Sequence, residues 1–244
     1  MIDDKLIEIL LKSKNVTVLT GAGVSQESSV STFRDPDGLW SKFNPQELAS
    51  MDGFLSNPQL VWDWYNYRRK IIYQVNPNPG HYALAELENI YPNFYLITQN
   101  VDRLHQRAGS SRVIELHGNI IDNYCKDCTK EFHFDEIIEN IPKCDVCGGL
   151  IRPAVVWFGE ILPKEALKQA EILAMKSDIF VSVGSSLEVY PAANLPLIAK
   201  NYGAVTVDIN PNKSALSYYM DFILQYPSGI VLPKIVELLK EKLK

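Results

Sequence analysis

The chain has 244 residues, with 24 Lys and Arg residues against 29 Asp and Glu residues, a net charge of −5 and 46% hydrophobic residues. This length and apolar content allow a sizeable core and exclude an intrinsically disordered chain. No stretch approaches the ~20 apolar residues that a membrane-spanning helix needs, and the first residues do not resemble a secretory signal. We therefore expect a cytoplasmic protein. The acidic balance argues against nucleic acid or an anionic membrane as a partner.

Short β-type runs alternate with helical patterns along most of the chain, which is typical of an α/β protein with a parallel sheet covered on both faces. The predicted helices are residues 4–12, 58–73, 80–90, 164–176, 191–200 and 233–243. The predicted strands are residues 16–19, 94–97, 113–116, 155–157, 179–183, 205–209 and 222–224. Between residues 31 and 57 the pattern is weak and turn-forming residues are frequent, so we expect a loop-rich lid there.

All four cysteines lie in one window, with two residues inside each pair and fifteen between the pairs: Cys125, Cys128, Cys144 and Cys147. This spacing predicts one structural Zn²⁺ ion, because two thiolates on each of two turns supply the four soft ligands of a tetrahedral site. Two disulfides or four unrelated thiols are the alternatives, and the disulfides are disfavoured without a secretory signal. His133 lies in the window, but four cysteines already complete the coordination shell.

Predicted strands lie on both sides of the cysteine window, so we interpret the window as an insert. The expected organisation is a sheet domain formed by residues 1–118 and 153–244, with a lid and helical segment at about 31–75. The inserted small zinc-binding module is expected at 119–152.

Small, polar or ionisable residues follow nearly every predicted strand. The clusters are Gly21-Ala22-Gly23-Val24-Ser25, Thr98-Gln99-Asn100-Val101-Asp102, His117-Gly118, Phe158-Gly159-Glu160, Gly184-Ser185-Ser186 and Asn210-Pro211-Asn212. In an open α/β sheet, ligands bind outside the carboxyl ends of the strands. The sequence therefore predicts a ligand site along one edge of the sheet.

The segment Gly21-Ala22-Gly23 resembles a dinucleotide-binding loop, in which missing side chains let backbone N–H groups approach phosphates. The match is partial, because Gln26 replaces the third glycine and no strand-terminal acid follows about twenty residues later. This departure argues against a hydride-transferring dehydrogenase. Arg34 is a candidate to neutralise a phosphate, with a surface ion pair as the alternative.

Several motifs occur in an order that resembles the sirtuins, the NAD-dependent protein-lysine deacylases. The motifs are Gly21-Ala22-Gly23-Val24-Ser25, Thr32-Phe33-Arg34, residues 98–105, Leu116-His117-Gly118, the two cysteine pairs, Phe158-Gly159-Glu160 and Gly184-Ser185-Ser186-Leu187. The resemblance covers about residues 12–235. Two segments depart from the family pattern, since Ser29-Val30-Ser31 replaces Gly-Ile-Pro and Gly184-Ser185-Ser186 replaces Gly-Thr-Ser.

The resemblance implies a Rossmann-like fold, NAD as a consumed co-substrate and acyl-lysine proteins or peptides as partners. It also implies transfer of the acyl group to ADP-ribose as nicotinamide leaves. His117 matches the general base of the family, and a near-neutral pKa suits reversible proton transfer. We interpret His105 and His81 as packing or capping residues of helices.

The resemblance also assigns further site residues. For NAD they are Gly21, Ala22, Gly23, Ser25, Phe33, Arg34, Gln99, Asn100, Val101, Asp102, Gly184, Ser185, Ser186, Asn210 and Ser228. Within this set, Gln99, Asn100 and Asp102 match the pocket for nicotinamide and ribose, where amide and carboxylate groups bond hydroxyl and carboxamide groups. For an extended substrate peptide, the matching strand and turn are Val156, Trp157, Phe158 and Gly159.

The predicted helix at 58–73 carries an arginine on an otherwise apolar face, because Arg68 follows Val61, Trp64 and Tyr65 at helical spacings. Burying a guanidinium is costly unless an anion meets it; an internal acidic partner or a side chain that reaches the edge is the alternative. Tyr65 and Arg68 are similar to the pattern of class III sirtuins, which prefer acidic acyl groups. Ala49 matches the small residue that keeps their acyl pocket wide.

The class III pattern implies faster removal of succinyl and malonyl groups than of acetyl groups, because an arginine fork pairs with a carboxylate. A sirtuin that acts mainly as a deacetylase remains an alternative. A mono-ADP-ribosyltransferase on the same scaffold would leave a label from NAD on protein. A non-enzymatic module would use the cysteine window as a contact surface, although the acidic balance of residues 119–152 disfavours nucleic acid there.

Overall fold

The computed structural model describes residues 2–32, 39–134 and 136–243. Its helices are α1 (Asp4–Lys12), α2 (Ala22–Gln26), α3 (Leu39–Lys42), α4 (Pro45–Leu48), α5 (Met51–Ser56), α6 (Pro58–Gln74), α7 (Pro79–Ile90), α8 (Leu104–Arg107), α9 (Lys164–Lys176), α10 (Leu195–Asn201) and α11 (Ser228–Lys242). Its strands are β1 (Asn15–Thr20), β2 (Asn93–Thr98), β3 (Val113–Glu115), β4 (Gly118–Cys125), β5 (Glu131–Phe132), β6 (Ile151–Val155), β7 (Ile179–Val183), β8 (Val205–Ile209) and β9 (Phe222–Leu224).

Six strands form a parallel sheet in the order β3-β2-β1-β7-β8-β9. The chain starts at β1, extends the sheet to one side with β2 and β3, and then to the other side with β7, β8 and β9. The carboxyl ends lie level, because Thr20 pairs with Thr98 on one side and with Val183 on the other. The order of strands reverses between β1 and β7, which is where a ligand crevice opens in folds of this kind.

Helices cover both faces of the parallel sheet. On one face α1, α7 and α11 bury a cluster that includes Leu6, Leu84 and Leu232. On the opposite face α9 and α10 pack against another cluster, to which Ala170 and Phe180 belong. Every residue of β7 is buried as a result, which explains why the central strands are apolar without alternation. Within the described part of the chain, no helix is both long and apolar enough to cross a membrane.

A second, three-stranded sheet has the antiparallel order β5-β4-β6. Its ladder joins Gly118 to Val155 at one end and Cys125 to Ile151 at the other, so the small sheet spans residues 118–155. Gly118 has a φ of +67°, and a Cβ there would lie 2.0 Å from the carbonyl oxygen of Ala154. Only glycine allows the chain to leave the parallel sheet at this point.

The structure confirms the six predicted strands of the parallel sheet, with ends that differ by at most one residue. The predicted strand at 155–157 is wrong, because β6 ends at Val155 and pairs with β4 in the small sheet. A three-residue apolar run does not identify the sheet that buries it. The stretch expected to be loop-rich contains α3, α4 and α5, helices of four to six residues that are too short to give a periodic pattern.

Two predicted helices begin elsewhere in the structure. Helix α11 begins at Ser228, five residues before the predicted start, and Pro233 lies inside it. A 3₁₀ turn at Ala192–Asn194 precedes α10, which begins at Leu195. In both cases proline was taken as the first helical residue, although proline also occurs within or ahead of a helix when packing compensates.

Helix α6 fastens the small sheet to the rest of the molecule through buried polar side chains. Arg69 donates from Nε to the carbonyl oxygen of Ile120 at 2.6 Å and from a terminal nitrogen to Asn123 Oδ1 at 2.6 Å. Trp62 donates from Nε1 to the carbonyl oxygen of Ile138 at 2.6 Å. Burial lowers the pKa of Arg69 to about 10, so this side chain remains a cation at neutral pH.

Replacing Arg69 by Met leaves the acceptors on Ile120 and Asn123 buried without donors, so we expect a loss of about 2–4 kcal/mol in the free energy of unfolding. Urea denaturation followed by circular dichroism measures this loss. Lys70→Met, on the exposed side of the same helix, is the matched control and is expected to change stability by less than about 0.5 kcal/mol. Equal stability of the two variants would contradict the fastening role of Arg69.

Candidate active site

A cleft of about 1050 Å³ opens at the carboxyl ends of β1, β2, β7 and β8 and extends to the end of β6. This is the edge of the sheet at which the sequence predicts a ligand site. The volume lies at the upper end of small-molecule sites, which are typically about 300–1,000 Å³. The cleft is therefore large enough for a dinucleotide together with part of a second substrate.

Most of the site residues predicted from the sequence line this cleft. They are Gly21, Ala22, Gly23, Ala49, Tyr65, Arg68, Gln99, Asn100, Val101, His117, Val156, Trp157, Phe158, Gly159, Gly184, Ser185, Ser186 and Asn210. Separate parts of the chain bring them together: the ends of β1, β2, β7 and β8, the end of α4, helix α6, the turn between β3 and β4, and the turn after β6.

Three predicted site residues within the described part of the chain are not part of the cleft lining. Ser25 and Asp102 are buried beneath it. Ser228 donates from its hydroxyl to Glu27 Oε1 at 2.7 Å, and the same carboxylate oxygen accepts from the backbone N–H of Gly229 at 2.9 Å. Ser228 therefore anchors the first turn of α11 to Glu27. Phe33 and Arg34 lie outside the described residues.

The glycine loop after β1 packs directly against the loop after β7. The backbone N–H of Gly21 donates to the carbonyl oxygen of Val183 at 3.0 Å, and that of Gly23 donates to Gly184 at 2.9 Å. A Cβ on Gly21 would lie 2.7 Å from the carbonyl oxygen of Gly184. These two N–H groups are used within the fold, so the main contribution of the glycines is the close approach of the loops and the open space above them.

A line of polar side chains crosses the floor of the cleft. Gln99 donates from Nε2 to Ser185 Oγ at 2.9 Å, and Asn210 donates from Nδ2 to the carbonyl oxygen of Ser185 at 3.0 Å. The ends of β2, β7 and β8 are thereby held in register by side chains as well as by the sheet. Amides and hydroxyls of this kind can bond the hydroxyl, carboxamide and phosphate groups of a nucleotide.

His117 is half-buried at the turn between β3 and β4 and faces the cleft. Its Nδ1 lies 3.2 Å from the carbonyl oxygen of Gln99. Because a carbonyl only accepts, Nδ1 carries the proton and the neutral ring has an unprotonated Nε2. Burial lowers the pKa of His117, although the bond to Gln99 acts in the opposite direction. The ring is therefore neutral at pH 7, which is the form that a general base requires.

A buried hydrogen-bond network supports the cleft floor from below. Asp102 accepts from Ser25 Oγ at 2.7 Å and from the backbone N–H of Leu104 at 2.9 Å. Ser25 Oγ also lies 3.2 Å from Asn100 Nδ2, which donates to it, and 3.4 Å from His81 Nε2. Asp102 thus satisfies the N–H of the first residue of α8 from the position before the N-cap, which is Arg103. Both oxygens of Asp102 already accept hydrogen bonds within the protein.

His81 and His105 lie side by side in this network and are inaccessible to solvent. Their ring centroids are 4.8 Å apart, and His105 Nε2 lies 3.0 Å from Thr20 Oγ1. His81 belongs to the capping box that begins α7, and His105 lies in α8, as expected for packing and capping residues. Burial lowers the pKa of His81 to about 4. Burial and the neighbouring His81 hold the pKa of His105 well below its usual value.

The end of the cleft away from the glycine loops is formed by α6 and the turn after β6. Arg68 is buried there, with its guanidinium carbon 4.9 Å from the centroid of the Trp64 ring and 6.0 Å from that of Tyr65. Tyr65 Oη accepts from Trp157 Nε1 at 2.9 Å. Burial lowers the pKa of Arg68 below its usual value, with Tyr65 and Asp102 acting in the opposite direction. Arg68 stays a cation at neutral pH.

Ala49 closes the same end of the cleft and is 6% exposed. It is the last residue of the turn that ends α4, and its carbonyl oxygen accepts from the backbone N–H of Phe158 at 2.9 Å. Ala49 lines the same cavity as Tyr65 and Arg68.

The four cysteines form a compact cluster at the far end of the small sheet. Their sulfurs lie within 4.8 Å of one another, with 3.4 Å between Cys125 and Cys147 and 3.6 Å between Cys128 and Cys144. The thiols are free, so the disulfide alternative is wrong. Four sulfurs around Zn²⁺ at about 2.3 Å are about 3.8 Å apart. The cluster fits a closed, structural zinc site, and His133 lies outside it.

Further described residues, beyond the predicted set, also line the cleft. They are Gln26, Ser29, Val30, Ser31, Thr32, Val155, Glu160, Leu162, Glu188, Val189, Tyr190, Pro211, Asn212 and Lys213. Nearly all lie next to predicted residues along the chain. They could have been predicted by extending the motif at each strand end by a few residues. No residue type among them indicated a role by itself.

Comparison with known proteins agrees with this geometry. The model of the Sir2 family matches residues 21–191. The NAD-dependent protein deacylase of Aquifex aeolicus is 48% identical over 234 residues, which cover 95% of this chain and 98% of that protein. NAD-dependent protein deacylase 2 of Pyrobaculum aerophilum is 49% identical over 238 residues, covering 97% of this chain and 96% of that protein.

Solved structures are also similar. A complex of a Sir2 homologue with NAD has a TM-score of 0.95 and 42% identity, covering 100% of this chain and 96% of that one. A complex of Sir2 with a p53 peptide and NAD⁺ has a TM-score of 0.88 and 34% identity, and each chain is covered completely.

The parallel sheet, its ligand cleft and the attached cysteine cluster define a Rossmann-like α/β protein with a structural zinc module. Together with the family match and with relatives that align over nearly their whole length, they establish that the chain belongs to the Sir2 family.

Removal of zinc is expected to unfold the small sheet, because metal binding and folding are coupled at sites of this kind. We predict one zinc ion per chain by elemental analysis, and a lower thermal midpoint after chelation or in Cys144→Ser. Adding zinc back to the chelated protein should restore the midpoint, whereas magnesium should not, since thiolates select the softer ion. A metal-free protein with unchanged stability would contradict the assignment.

The buried histidine pair predicts a loss of stability in mild acid. The unfolded chain has histidine pKa values near 6.5, whereas those of His81 and His105 are lower in the fold, so the unfolded state binds more protons below pH 6.5. Their contribution is complete above pH 6.5 and falls towards pH 4, by up to about 1.4 kcal/mol per pH unit for each histidine.

Urea titrations between pH 7 and pH 5 measure this slope. His81→Asn should make the dependence of the unfolding free energy on pH shallower, because about one proton fewer is taken up on unfolding. His133→Asn changes an exposed histidine and should leave the slope as in the wild type. The same pH dependence of stability in all three proteins would show that the buried His81–His105 pair does not cause the loss of stability in acid.

Proposed function

We propose that the protein is an NAD-dependent protein-lysine deacylase that removes succinyl and malonyl groups faster than acetyl groups. Its products are the free lysine, nicotinamide and 2′-O-acyl-ADP-ribose. The proposed acyl preference rests on one observation: the buried Arg68 cation lines the cleft together with Tyr65, which bears a hydroxyl group. The deacylase activity itself is supported by membership of the Sir2 family and by relatives that are named NAD-dependent protein deacylases.

The glycine end of the cleft suits NAD. The loops at Gly21–Gly23 and Gly184–Ser186 would accommodate the phosphates, and Asn210 lies where the adenosine half would extend. Gln99 and Asn100 would bond the nicotinamide ribose and the carboxamide. When bound, NAD supplies the ADP-ribosyl group that accepts the acyl chain as nicotinamide departs. The proposal assigns no direct contact with NAD to Asp102, because both its oxygens already accept hydrogen bonds from protein groups.

His117 would accept a proton at Nε2. The bond from Nδ1 to the Gln99 carbonyl fixes the tautomer and the orientation of the ring. The same residue, Gln99, uses its side chain to reach Ser185, so the base and the ribose-facing amide are held by one loop. Proton acceptance from a ribose hydroxyl by a positioned base of this kind contributes typically about 10²–10⁴-fold in rate.

The turn after β6 would receive the substrate peptide. The backbone N–H groups of Val156, Trp157 and Phe158 already donate to His117, Glu160 and Ala49, respectively. A peptide that lies along this turn would therefore bond through the carbonyl groups and the N–H of Gly159. Backbone bonding of this kind holds a peptide with little dependence on its sequence, which suits an enzyme whose selectivity comes from the acyl group.

The terminal carboxylate of a succinyl or malonyl group would meet Arg68. A buried arginine is worth most to a ligand that brings a negative charge, because a charge-assisted bond in a dry site is roughly twice as strong as a neutral one. An acetyl group brings no charge and cannot form this bond with Arg68. Ala49 contributes space for the longer chain, since it presents only a methyl group to the cleft.

Replacing His117 by Ala is expected to lower peptide-dependent nicotinamide release about 10²–10⁴-fold while the protein stays folded. Chromatographic measurement of nicotinamide and circular dichroism test both parts. In the wild type, kcat/KM should fall as the pH decreases through the pKa of His117, which lies below 6.5, because only the neutral ring accepts a proton. Nicotinamide release equal to that of His133→Ala, a control at an exposed histidine, would contradict the role.

Replacing Arg68 by Met is expected to lower kcat/KM for a succinyl-lysine peptide at least 100-fold, because breaking one half of a buried charge pair costs about 3–5 kcal/mol. The loss for the matched acetyl-lysine peptide should be far smaller. Tyr65→Phe removes only a hydroxyl and should give an intermediate loss on the succinyl peptide. Equal losses of Arg68→Met on both peptides would contradict the carboxylate-binding role.

A further inference from the structure

Trp157, which forms one wall of the cleft, is fixed from several sides. The side chain is 2% exposed. Its backbone N–H donates to Glu160 Oε2 at 2.8 Å, and its indole N–H donates to Tyr65 Oη at 2.9 Å. The ring of Phe54 packs against it with a centroid distance of 5.2 Å. The orientation of the Trp157 ring is therefore determined by contacts behind the cleft.

The most unusual of these contacts is made by another buried arginine, Arg152. Arg152 is 1% exposed, does not line the cleft, and has its guanidinium carbon 3.4 Å from the centroid of the Trp157 ring. The other neighbour of the guanidinium is the ring of Tyr124, at 5.1 Å. One terminal nitrogen donates to Glu160 at 3.0 Å and to the carbonyl oxygen of Val155 at 2.9 Å.

Glu160 accepts hydrogen bonds from both Arg152 and Trp157. One of its oxygens, Oε2, accepts from Arg152 and from the backbone N–H of Trp157. Because Arg152 is buried, this carboxylate is the charge that offsets its desolvation. The ion pair thus holds the Arg152 guanidinium over the Trp157 ring while Glu160 fixes the Trp157 backbone, and we call this arrangement the clamp.

The clamp has a consequence for Tyr65. An indole N–H is a donor only, so the Tyr65 oxygen must be the acceptor in the bond with Trp157. The phenolic proton of Tyr65 is then left for a different acceptor, on a side chain that lines the cleft next to Arg68. Burial raises the pKa of Tyr65, so the hydroxyl keeps its proton throughout the neutral range.

We infer that Arg152 is a positioning residue for acyl-group selection. By holding Trp157 in place it makes the Tyr65 hydroxyl a donor towards the terminal carboxylate of the acyl group. This inference rests on the proposed function, because it concerns the preference for acidic acyl groups at the same site. Part of the preference for acidic acyl groups would then depend on Arg152, a residue of the small sheet that touches neither substrate.

A double-mutant cycle tests the inference through kcat/KM for matched succinyl and acetyl peptides. Tyr65→Phe alone should lower the ratio of the succinyl to the acetyl value about 10-fold or more, as expected for a bond to a charged group. Arg152→Gln should lower the same ratio several-fold in the wild type. In the Tyr65→Phe background Arg152→Gln should leave the ratio unchanged, because the hydroxyl it orients is gone.

Controls separate this effect from a general loss of stability. Arg112→Gln breaks an ion pair with Glu88 far from the cleft and should leave the ratio as in the wild type. If Arg152→Gln fails to fold, the pair Arg152→Gln/Glu160→Gln removes both charges together and keeps side chains that can hydrogen-bond each other. A ratio that is unchanged by the Arg152 change, or that falls equally in the Tyr65→Phe background, overturns the inference.

A second measurement does not depend on the acyl preference. The indole N–H of Trp157, identified in ¹H–¹⁵N spectra by its loss in Trp157→Phe, should exchange slowly with solvent in the wild type. Exchange should become faster in Tyr65→Phe and in the Arg152 variant. Slow exchange in both variants overturns the positioning role. If the indole N–H of the wild type exchanges slowly but the protein prefers acetyl peptides, the proposed acyl preference is contradicted. The role of Arg152 in acyl selection is then overturned as well. Its contact with Trp157 would still be supported by the slow exchange.

Discussion

The close approach of two loops at the carboxyl ends of β1 and β7 is the constraint on which the rest of the site depends. A Cβ on Gly21 would lie 2.7 Å from the Gly184 carbonyl oxygen, and one on Gly23 would lie 2.9 Å from the Gly184 Cα. Gly184 itself has a φ of +59°. With no side chains between the loops, the central strands end level and close together. This packing leaves the crevice above the loops open and brings Ser185 to the edge where Gln99 Nε2 donates to its hydroxyl at 2.9 Å.

Three arginines illustrate how one residue type serves different purposes according to its partners. Arg69 donates from each of its three nitrogens to a backbone or amide acceptor and fastens the small sheet to α6. Arg152 is paired with Glu160 and stacks on Trp157. Arg68, on the same helix as Arg69, is buried against aromatic rings at the cleft. Its position in the cleft lining is the reason why an acidic acyl group is proposed as its ligand.

Much of the site was predictable from the sequence because its residues follow strands whose apolar pattern is clear. The six strands of the parallel sheet place Gly21, Gln99, Gly184 and Asn210 at one edge without any knowledge of tertiary contacts. The cysteine spacing likewise specifies a metal cluster, since four sulfurs at two turns have few other uses. His117 stands out once its position after β3 is combined with the resemblance to the sirtuins.

Other features depended on contacts between distant parts of the chain. Ser228 was assigned to the nucleotide, but it bonds Glu27 across 201 positions of sequence, a pairing that no local pattern encodes. The apolar run at 155–157 read as a strand of the main sheet, yet its burial comes from α6 and the small sheet. Arg152 carried no signal in the sequence, because its importance lies in the ring it faces and not in its neighbours along the chain.

The property proposed for the cleft is selection of acyl groups that carry a carboxylate. The most direct test gives the wild-type protein NAD and an equimolar mixture of three peptides that differ only in a succinyl, malonyl or acetyl group, with products followed by mass spectrometry. The structure predicts that the succinyl and malonyl peptides are consumed first, each with an equal amount of the corresponding acyl-ADP-ribose. Earlier consumption of the acetyl peptide would contradict the carboxylate-binding role of Arg68 and Tyr65.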